Sequence, residues 1–383
     1  MPRKNVSSAS AAIRRVLKCI GSIAKWIGII ILVLALLVFL QLQVGCRLMS
    51  DVVTISPKTF GETHDWPIAG YSRSEESTYL TFPEWYIVYS SEEYANFLEK
   101  GRPSQFPYFA SIRQFWHGYC NVYTLTKDRY GFNAGNHGML WVIGVSFSVE
   151  YAIKGIYENI IGRFTEWTSS YEKTEEDFFA YRANKEYVAF IYDRPWYEFS
   201  FAKRLWHLWA DVPSWGEHMI RKSERKLILG LEFGIKAIYG GLIELGTHAT
   251  YGSAATEIYA TVQNASRSVF EKEPRIRKVQ EIDTQFDIIS IPRYRLFTEI
   301  VPALTRQGVQ FVDIAGNDEI FFTAIAPRGW NYDLKDGEVL FTMNILTQPW
   351  LKRIAVQAPV ESLHEILPAL EHEGVKIEHI YDY

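Results

Sequence analysis

Two segments of this chain each recur later in the sequence in closely similar form. Residues 93–98 read EYANFL and residues 186–191 read EYVAFI, while VEYAIKGIY at 149–157 recurs as LEFGIKAIY at 231–239. Their apolar residues recur at i, i+3 and i+4, which is typical of packed helices. An internal repeat limits the possible folds more than composition does, because equivalent segments adopt equivalent structures. The pattern therefore predicts a duplicated all-α domain.

This helical domain is expected to cover residues 81–264, as two three-helix units at about 83–170 and 177–262. Its start at Thr81-Phe82-Pro83-Glu84 has a threonine to act as N-cap, a proline for the first turn and a glutamate to complete a capping box. Residues 47–80 are polar, with scattered Gly, Pro and Ser. They are predicted to form a connector.

A second repeat lies near the C-terminus, where EIVPALTRQGV at 299–309 recurs as EILPALEHEGV at 365–375. After a charged linker at 265–282 the apolar period changes to two, which indicates strands. The predicted order is strand-helix-strand, a hairpin, then strand-helix-strand. We therefore expect an α+β ferredoxin-like domain at 283–383, built from a duplicated βαβ unit, with both proline-containing helices on one face of one sheet.

The N-terminus predicts a membrane anchor. Residues 26–46 carry no charge, and the residues before them include six Lys or Arg but no Asp or Glu. A helix of this length spans about 30 Å, the thickness of a bilayer core. The basic segment 1–25 is expected to stay in the cytoplasm, which places the main domains outside it. A cleaved signal peptide is the alternative, but its apolar region is usually shorter and no clear small-x-small site follows.

Charge and composition restrict the partners. The net charge is -4, so the chain has no overall positive field, and nucleic acid is not expected as a partner. The expected partners are the lipid bilayer, through residues 26–46, and a membrane or envelope protein. The long helices of the repeat are not expected to span the membrane, because the second contains Lys226, Glu232, Lys236 and Glu244.

The repeated helices carry the main candidate site. Each places a glutamate, a lysine and a tyrosine one helical turn apart on one face, at Glu150, Lys154, Tyr157, Glu232, Lys236 and Tyr239. Ordinary i,i+4 ion pairs on a surface are one interpretation. However, the recurrence within apolar helices predicts that the two helices face each other in a crossed network. Such a network is either structural or a binding or catalytic site for a polar ligand.

Two histidines, His117 and His207, each follow a tryptophan and are candidate ligands for a metal or haem. A packed, hydrogen-bonded histidine is the alternative, and the cofactor, if there is one, stays unidentified. The basic run Arg221–Lys226 is interpreted as a solvated helix start. Together these features predict a single-pass, membrane-anchored, extracytoplasmic protein that binds or assembles at the cell envelope. The alternative is a membrane-bound enzyme or a metal or cofactor carrier, with a polar site between the helical repeats.

Overall fold

The computed structural model describes residues 45–52, 68, 70–250, 256–282, 285–331 and 334–382, with the side chains of 242 and 244–250 left out. The chain divides into two units, Met1–Ser50 and Asp51–Tyr383. In the first unit the described part contains a helical turn, Cys46–Met49. Residues 1–44, with nearly all of the predicted anchor at 26–46, lie outside the described residues. The rest of this section concerns the second unit.

The part of this unit that precedes the strands is helical. The α-helices are α1 (Glu76–Leu80), α2 (Phe82–Phe97), α3 (Tyr108–Thr126), α4 (Ala134–Tyr157), α5 (Arg163–Thr168), α6 (Glu175–Ile191), α7 (Phe201–Ala210) and α8 (Met219–Thr250). Short 3-10 turns precede α3 and α7, at Pro103–Gln105 and Trp196–Glu198. A helical domain is therefore present, but its first helix, α1, lies within the segment predicted as a connector.

Local signals account for some helix starts and not for others. The side chain of Asn133 accepts the backbone N–H of Asn136 at the start of α4. Thr174 and Asp177 form a capping box at the start of α6. Helix α2 begins near the predicted position, but the predicted threonine cap is wrong. The Thr81 hydroxyl donates to the carbonyl of Ser77 in the preceding helix, because α1 already occupies the N-terminal side.

Helix α4 continues through a π-helical turn, Glu158–Gly162, into α5. Within the described residues, this continuous stretch Ala134–Thr168 is the one helix long and apolar enough to cross a membrane by length and composition. Its most apolar window has a mean hydropathy of 1.4, and 28% of that window is buried. Length and composition do not decide whether it spans, because a helix that packs on a protein along one side passes the same test.

The helices pack in two similar sets. Helix α2 packs against α3 and α4, and α6 packs against α7 and α8. Helices α2 and α6 also pack against each other, so they form a layer behind α4 and α8. The core of the first set contains many aromatic rings, such as Phe115 and Phe147, whose centroids lie 5.6 Å apart. The core of the second contains Leu208, Leu229 and Phe233.

Strands begin at Glu257 and continue to the end of the described chain. They are β1 (Glu257–Gln263), β2 (Arg277–Glu281), β3 (Phe286–Pro292), β4 (Gln310–Ile314), β5 (Glu319–Pro327), β6 (Glu338–Asn344), β7 (Leu351–Pro359) and β8 (Lys376–Ile380). Helices α9 (Arg267–Lys272), α10 (Arg295–Thr305) and α11 (Leu363–His372) lie between them. The described strands form two four-stranded antiparallel sheets, ordered β2-β3-β1-β4 and β6-β7-β5-β8.

The two sheets differ from the single sheet predicted for residues 283–383. Strands β3 and β4 pair with β1, at 257–263, which the sequence assigned to the helical domain. The predicted linker at 265–282 contains α9 and β2. Both segments belong to the first sheet, because β1 lies inside it between β3 and β4 and β2 pairs with β3. The second sheet is completed by β5, which pairs with both β7 and β8.

The C-terminal repeat nevertheless occupies matching places. Helix α10 connects β3 to β4 and α11 connects β7 to β8, with Pro302 and Pro368 inside the two helices. Leu304 and Leu370 are both fully buried, while the preceding alanines are partly exposed. The two helices also pack against each other. Both sheets and both helices share one hydrophobic core, so the two halves of this region form a single packed body.

The second sheet packs on the helical domain through aromatic and polar side chains. Tyr89 of α2 hydrogen-bonds to the hydroxyl of Tyr381, at 2.9 Å. The ring of Trp85 stacks on His379 with centroids 3.6 Å apart. The guanidinium of Arg353 lies 4.3 Å from the centre of the Tyr89 ring. These contacts join the helices and the second sheet within one unit.

Candidate functional site

The sequence-predicted glutamates and lysines meet between α4 and α8. Lys154 Nζ lies 2.8 Å from Glu232 Oε1 and 3.0 Å from Glu150 Oε1. Lys236 Nζ lies 2.9 Å from Glu150 Oε1 and 3.0 Å from Glu232 Oε1. Each lysine therefore bridges both glutamates. The four charged groups thus form a crossed arrangement between the two helices, and we call these four residues the tetrad.

The tetrad also defines how the two helices run. Glu150 meets Lys236 while Lys154 meets Glu232, so α4 and α8 are antiparallel here.

An aromatic ring from the layer formed by α2 and α6 lies near each ammonium group of the tetrad. The centre of the Tyr94 ring is 5.5 Å from Lys154 Nζ. The ring of Tyr187, which matches Tyr94 in the sequence repeat, is 5.5 Å from Lys236 Nζ. Such cation–π contacts stabilise the two ammonium groups on the side that faces the layer of α2 and α6.

Mutual pairing holds all four groups in their charged forms. Burial alone would raise the pKa of Glu150, but Lys236 and Lys154 lower it to about 2. The same lysines hold the pKa of Glu232 below its usual range. Although burial opposes it, the pKa values of both lysines are raised by the two carboxylates. The tetrad is therefore a neutral group of two positive and two negative charges at physiological pH. It is not sealed from solvent, since the Glu150 side chain is 42% exposed.

The two tyrosines predicted to belong to this site do not join it. The Tyr157 hydroxyl donates to Glu224 Oε1 at 2.8 Å. The ring of Tyr239 stacks on Trp196 with centroids 5.6 Å apart. Helical spacing predicted that both tyrosines share a face with the charges. One turn further along each helix, however, the neighbouring side chains are Glu224 and Trp196 and not the tetrad. The polar site is therefore limited to the tetrad.

The two histidines lie in separate polar pairs. His117 Nε2 is 3.0 Å from Asp51 Oδ2, and His207 Nδ1 is 2.6 Å from Asp211 Oδ2. His207 and Asp211 line an open cleft of about 250 Å³ between α6 and α7. In the part of the chain that the structure describes, no three His, Cys, Asp or Glu side chains come together in a way that could hold a metal ion.

The histidines also do not occupy matching places in the two helical sets. The indole of Trp116 donates to Ser148 Oγ at 3.0 Å. The position of the second set that corresponds to Ser148 is Gly230, and the tryptophan packed beside it is Trp209. Trp116 therefore corresponds in its contacts to Trp209, one helical turn beyond the Trp206 chosen from the sequence. The histidine after Trp116 has no histidine as its counterpart.

An exposed apolar stripe runs along each of the two long helices. Exposed apolar side chains of α4 and its continuation are Met139, Val142, Val145, Val149, Ile153, Ile156, Ile160, Ile161, Phe164 and Trp167. On α8 they are Met219, Ile220, Leu227, Leu231, Ile235, Ile238 and Tyr239. Their spacing of three and four residues places each set on one side of its helix. Exposed apolar surface this extensive is unusual for a solvated surface.

Both stripes lie on the same side of the domain. The opposite side of α4 is buried, at Leu140, Phe147 and Tyr151, and so is that of α8, at Leu229 and Phe233. The buried sides face the layer formed by α2 and α6, and the tetrad lies between the two helices. Since the stripes are opposite the buried sides, they point away from this layer together. We call the surface formed by the two stripes the apolar face.

A cluster of buried charges lies about two helical turns along α8 from the tetrad. The side chains of Arg221 and Arg225 are each only 2% exposed. Arg221 bonds to Asp177 at 2.7 Å and to Glu224 at 3.0 Å, and Arg225 bonds to Glu158 at 2.8 Å. These contacts tie α8 to α6 and to the π-helical turn. The sequence interpretation of 221–226 as a solvated helix start is wrong, because α5 and α6 cover this end of α8.

The cluster contains more carboxylates than guanidinium groups. Its buried carboxylates are Glu158, Glu166, Asp177 and Glu224. A third guanidinium group, that of Arg102, lies 3.5 Å from Glu166 but is partly exposed. Burial raises the pKa of Glu158, although Arg225 opposes this. The sequence signal for this cluster was the basic run 221–226 with its single glutamate, and a solvated surface helix has the same pattern.

No protein-family model, curated protein or solved structure matches this chain.

Proposed function

We propose that this chain is a membrane-anchored, extracytoplasmic binding or assembly protein of the cell envelope, and that it binds through the apolar face. Residues 26–46 would anchor it, since their length and lack of charge suit a single span. The excess of Lys and Arg in 1–25 supports a cytoplasmic N-terminus. The helical domain and the two sheets would then lie outside the cytoplasm.

The observation that carries this proposal is the apolar face. Apolar side chains such as Val142, Ile153 and Ile238, each more than 60% exposed, lie in two continuous stripes. Contact with water is unfavourable for such a surface, by roughly 25 cal/mol for each Å². Removal of this surface from water by a partner would therefore drive binding. The second class of function, an enzyme or cofactor carrier, has less support because the four groups of the tetrad already pair with one another.

We also propose that the repeats are structural duplications. In the helical domain, the two sets α2-α3-α4 and α6-α7-α8 would be related by a pseudo-two-fold axis through the tetrad. In the C-terminal region, the order β4-β1-β3-β2, with helices after β1 and β3, is that of a ferredoxin-like fold. The second sheet repeats this order without the first helix. The region would then hold two ferredoxin-like units, which provide a scaffold and do not themselves indicate an activity.

Photo-crosslinking in intact cells tests the proposed function. A photoreactive amino acid is placed at Ile153 or Leu231 of the full chain, at the centre of the apolar face. The control position is Val279 of β2, which is also an exposed apolar residue but lies outside this face. We expect adducts from the two face positions and none above background from Val279. Equal labelling at all three positions, or no adducts at all, would mean that the face is simply solvated.

A further inference from the structure

We propose that the apolar face binds the surface of a lipid bilayer, with α4 and α8 lying along it and their stripes among the acyl chains. This inference rests on the proposed function and specifies its partner. It treats the helices as interfacial elements that lie in the membrane surface, and not as spans.

The chemistry of the face is that of a bilayer. Its central residues are aliphatic, as at Val149, Ile153 and Leu231. Protein interfaces are instead enriched in aromatic residues, Met and Arg. The exposed aromatic residues of the two stripes lie towards their ends, at Phe164 and Trp167 after the π-helical turn and at Tyr239 of α8. Tryptophan is the residue enriched where acyl chains meet headgroups.

The geometry favours a helix that lies along the bilayer. From Val142 to Trp167 the stripe spans about 37 Å at 1.5 Å per residue, while the opposite side of α4 is covered by its own domain. A spanning helix would have to release Leu140, Phe147 and Tyr151 from that packing. Insertion along one side releases none of them. A long and narrow stripe is the shape expected for such a helix.

Charge opposes insertion only weakly. Besides Arg163, which is exposed beside Phe164 near the end of the α4 stripe, the charged side chains on this side of the described parts of the two helices are those of the tetrad. There, each ammonium group has two carboxylate partners within 3.0 Å, so the group as a whole is neutral. Isolated charges are costly at the edge of a bilayer, and paired charges are far less so. The tetrad thus holds the two helices together without an uncompensated charge next to lipid.

The predicted anchor would hold the domain beside a membrane. Between Cys46 and Glu76 the chain has 29 residues, which span at most about 100 Å when fully extended. Such a tether keeps the domain at a high effective concentration beside the bilayer. Weak insertion of each stripe then suffices for the face to remain bound. The chain does not raise the effective concentration of a soluble partner protein or of a second copy in this way.

Cleavage of the connector tests this inference. A site for a specific protease is inserted within residues 53–67 of the full chain, which is reconstituted into vesicles of phosphatidylcholine alone. After cleavage in the presence of a reducing agent, the vesicles are sedimented. We expect the cleaved domain to sediment with the vesicles and to resist a wash with 1 M salt. The variant Ile153→Asp/Leu231→Asp should remain in the supernatant, with at least a tenfold lower vesicle-bound fraction.

The control variant is Val279→Asp, which should sediment like the wild type. All three substituted residues are exposed, and circular dichroism before cleavage checks that each variant is folded. Release of the wild-type domain from pure lipid vesicles overturns the inference. If the face positions then still crosslink to a protein in cells, the proposed function stands with a protein partner. If neither lipid nor protein adducts form, both proposals are overturned.

Discussion

Removal of the Arg221 side chain should be among the most destabilising single changes in this protein. Its guanidinium is 2% exposed and bonds to Asp177 at 2.7 Å and to Glu224 at 3.0 Å. Methionine has a similar length and fills most of the space, so the change Arg221→Met mainly removes charge. Asp177 then keeps an ion pair with Arg225, at 3.2 Å. Glu224 keeps the hydroxyls of Tyr157 and a threonine.

The expected loss is about 3–5 kcal/mol, the usual cost of an unpaired charge in a protein interior. The matched control is Arg267→Met, because that arginine is 94% exposed and has a single carboxylate partner at 3.3 Å. Exposed pairs of this kind contribute about 0–1 kcal/mol. The comparison therefore isolates the effect of burial from the effect of the substitution itself.

The assay is urea unfolding of the full chain in detergent micelles, followed by tryptophan fluorescence. With an m-value of about 3 kcal/mol/M, Arg221→Met should lower the midpoint by about 1–1.7 M, and Arg267→Met by less than about 0.3 M. Adding Glu224→Gln to Arg221→Met should restore part of the loss, since it removes a carboxylate that has lost its cation. Equal midpoints for the two single variants would refute the assignment of a buried charge cluster.

Three other predictions follow from the remaining polar groups and the anchor. Glu150→Ala should cost only about 1 kcal/mol by urea unfolding, because this side chain is 42% exposed, and a loss above 3 kcal/mol would contradict the observed exposure. Burial raises the pKa of Glu93 to about 7, so its folded form holds a proton that the unfolded chain releases near pH 4.5. Stability should therefore fall as the pH rises from about 4.5 to 7, and Glu93→Gln should weaken this dependence; an unchanged profile would exclude Glu93 as its source. A C-terminal reporter that is active only in the cytoplasm should be silent, and a strong signal would reverse the proposed orientation.

The tetrad could be predicted from the sequence because it depends on local geometry. Residues four apart lie on one side of a helix whatever surrounds it, so Glu150 and Lys154 had to share a face, as did Glu232 and Lys236. Their recurrence in two similar helices indicated that the faces meet. The places of Tyr157 and Tyr239 could not be predicted in the same way, because one further turn along each helix brings a different neighbour.

The strands show the same limit over longer distances. Alternation of apolar residues located all six strands expected after residue 283, and the repeated PAL segment correctly paired α10 with α11. Which strands pair was decided by contacts between distant segments. Strand β1 pairs with both β3 and β4, and this divides the region into two sheets. Alternation is the same for every possible partner, so it does not distinguish one sheet from two.

By itself, the sequence determined the period of each segment, the repeats and the side of each helix on which its charges lie. Only the tertiary structure decided which charges are buried and which apolar residues are exposed. The basic run that begins at Arg221 became a buried cluster because two helices cover it, and Ile153 became exposed because none does. Burial depends on what packs against a residue, and helical spacing alone does not contain that information.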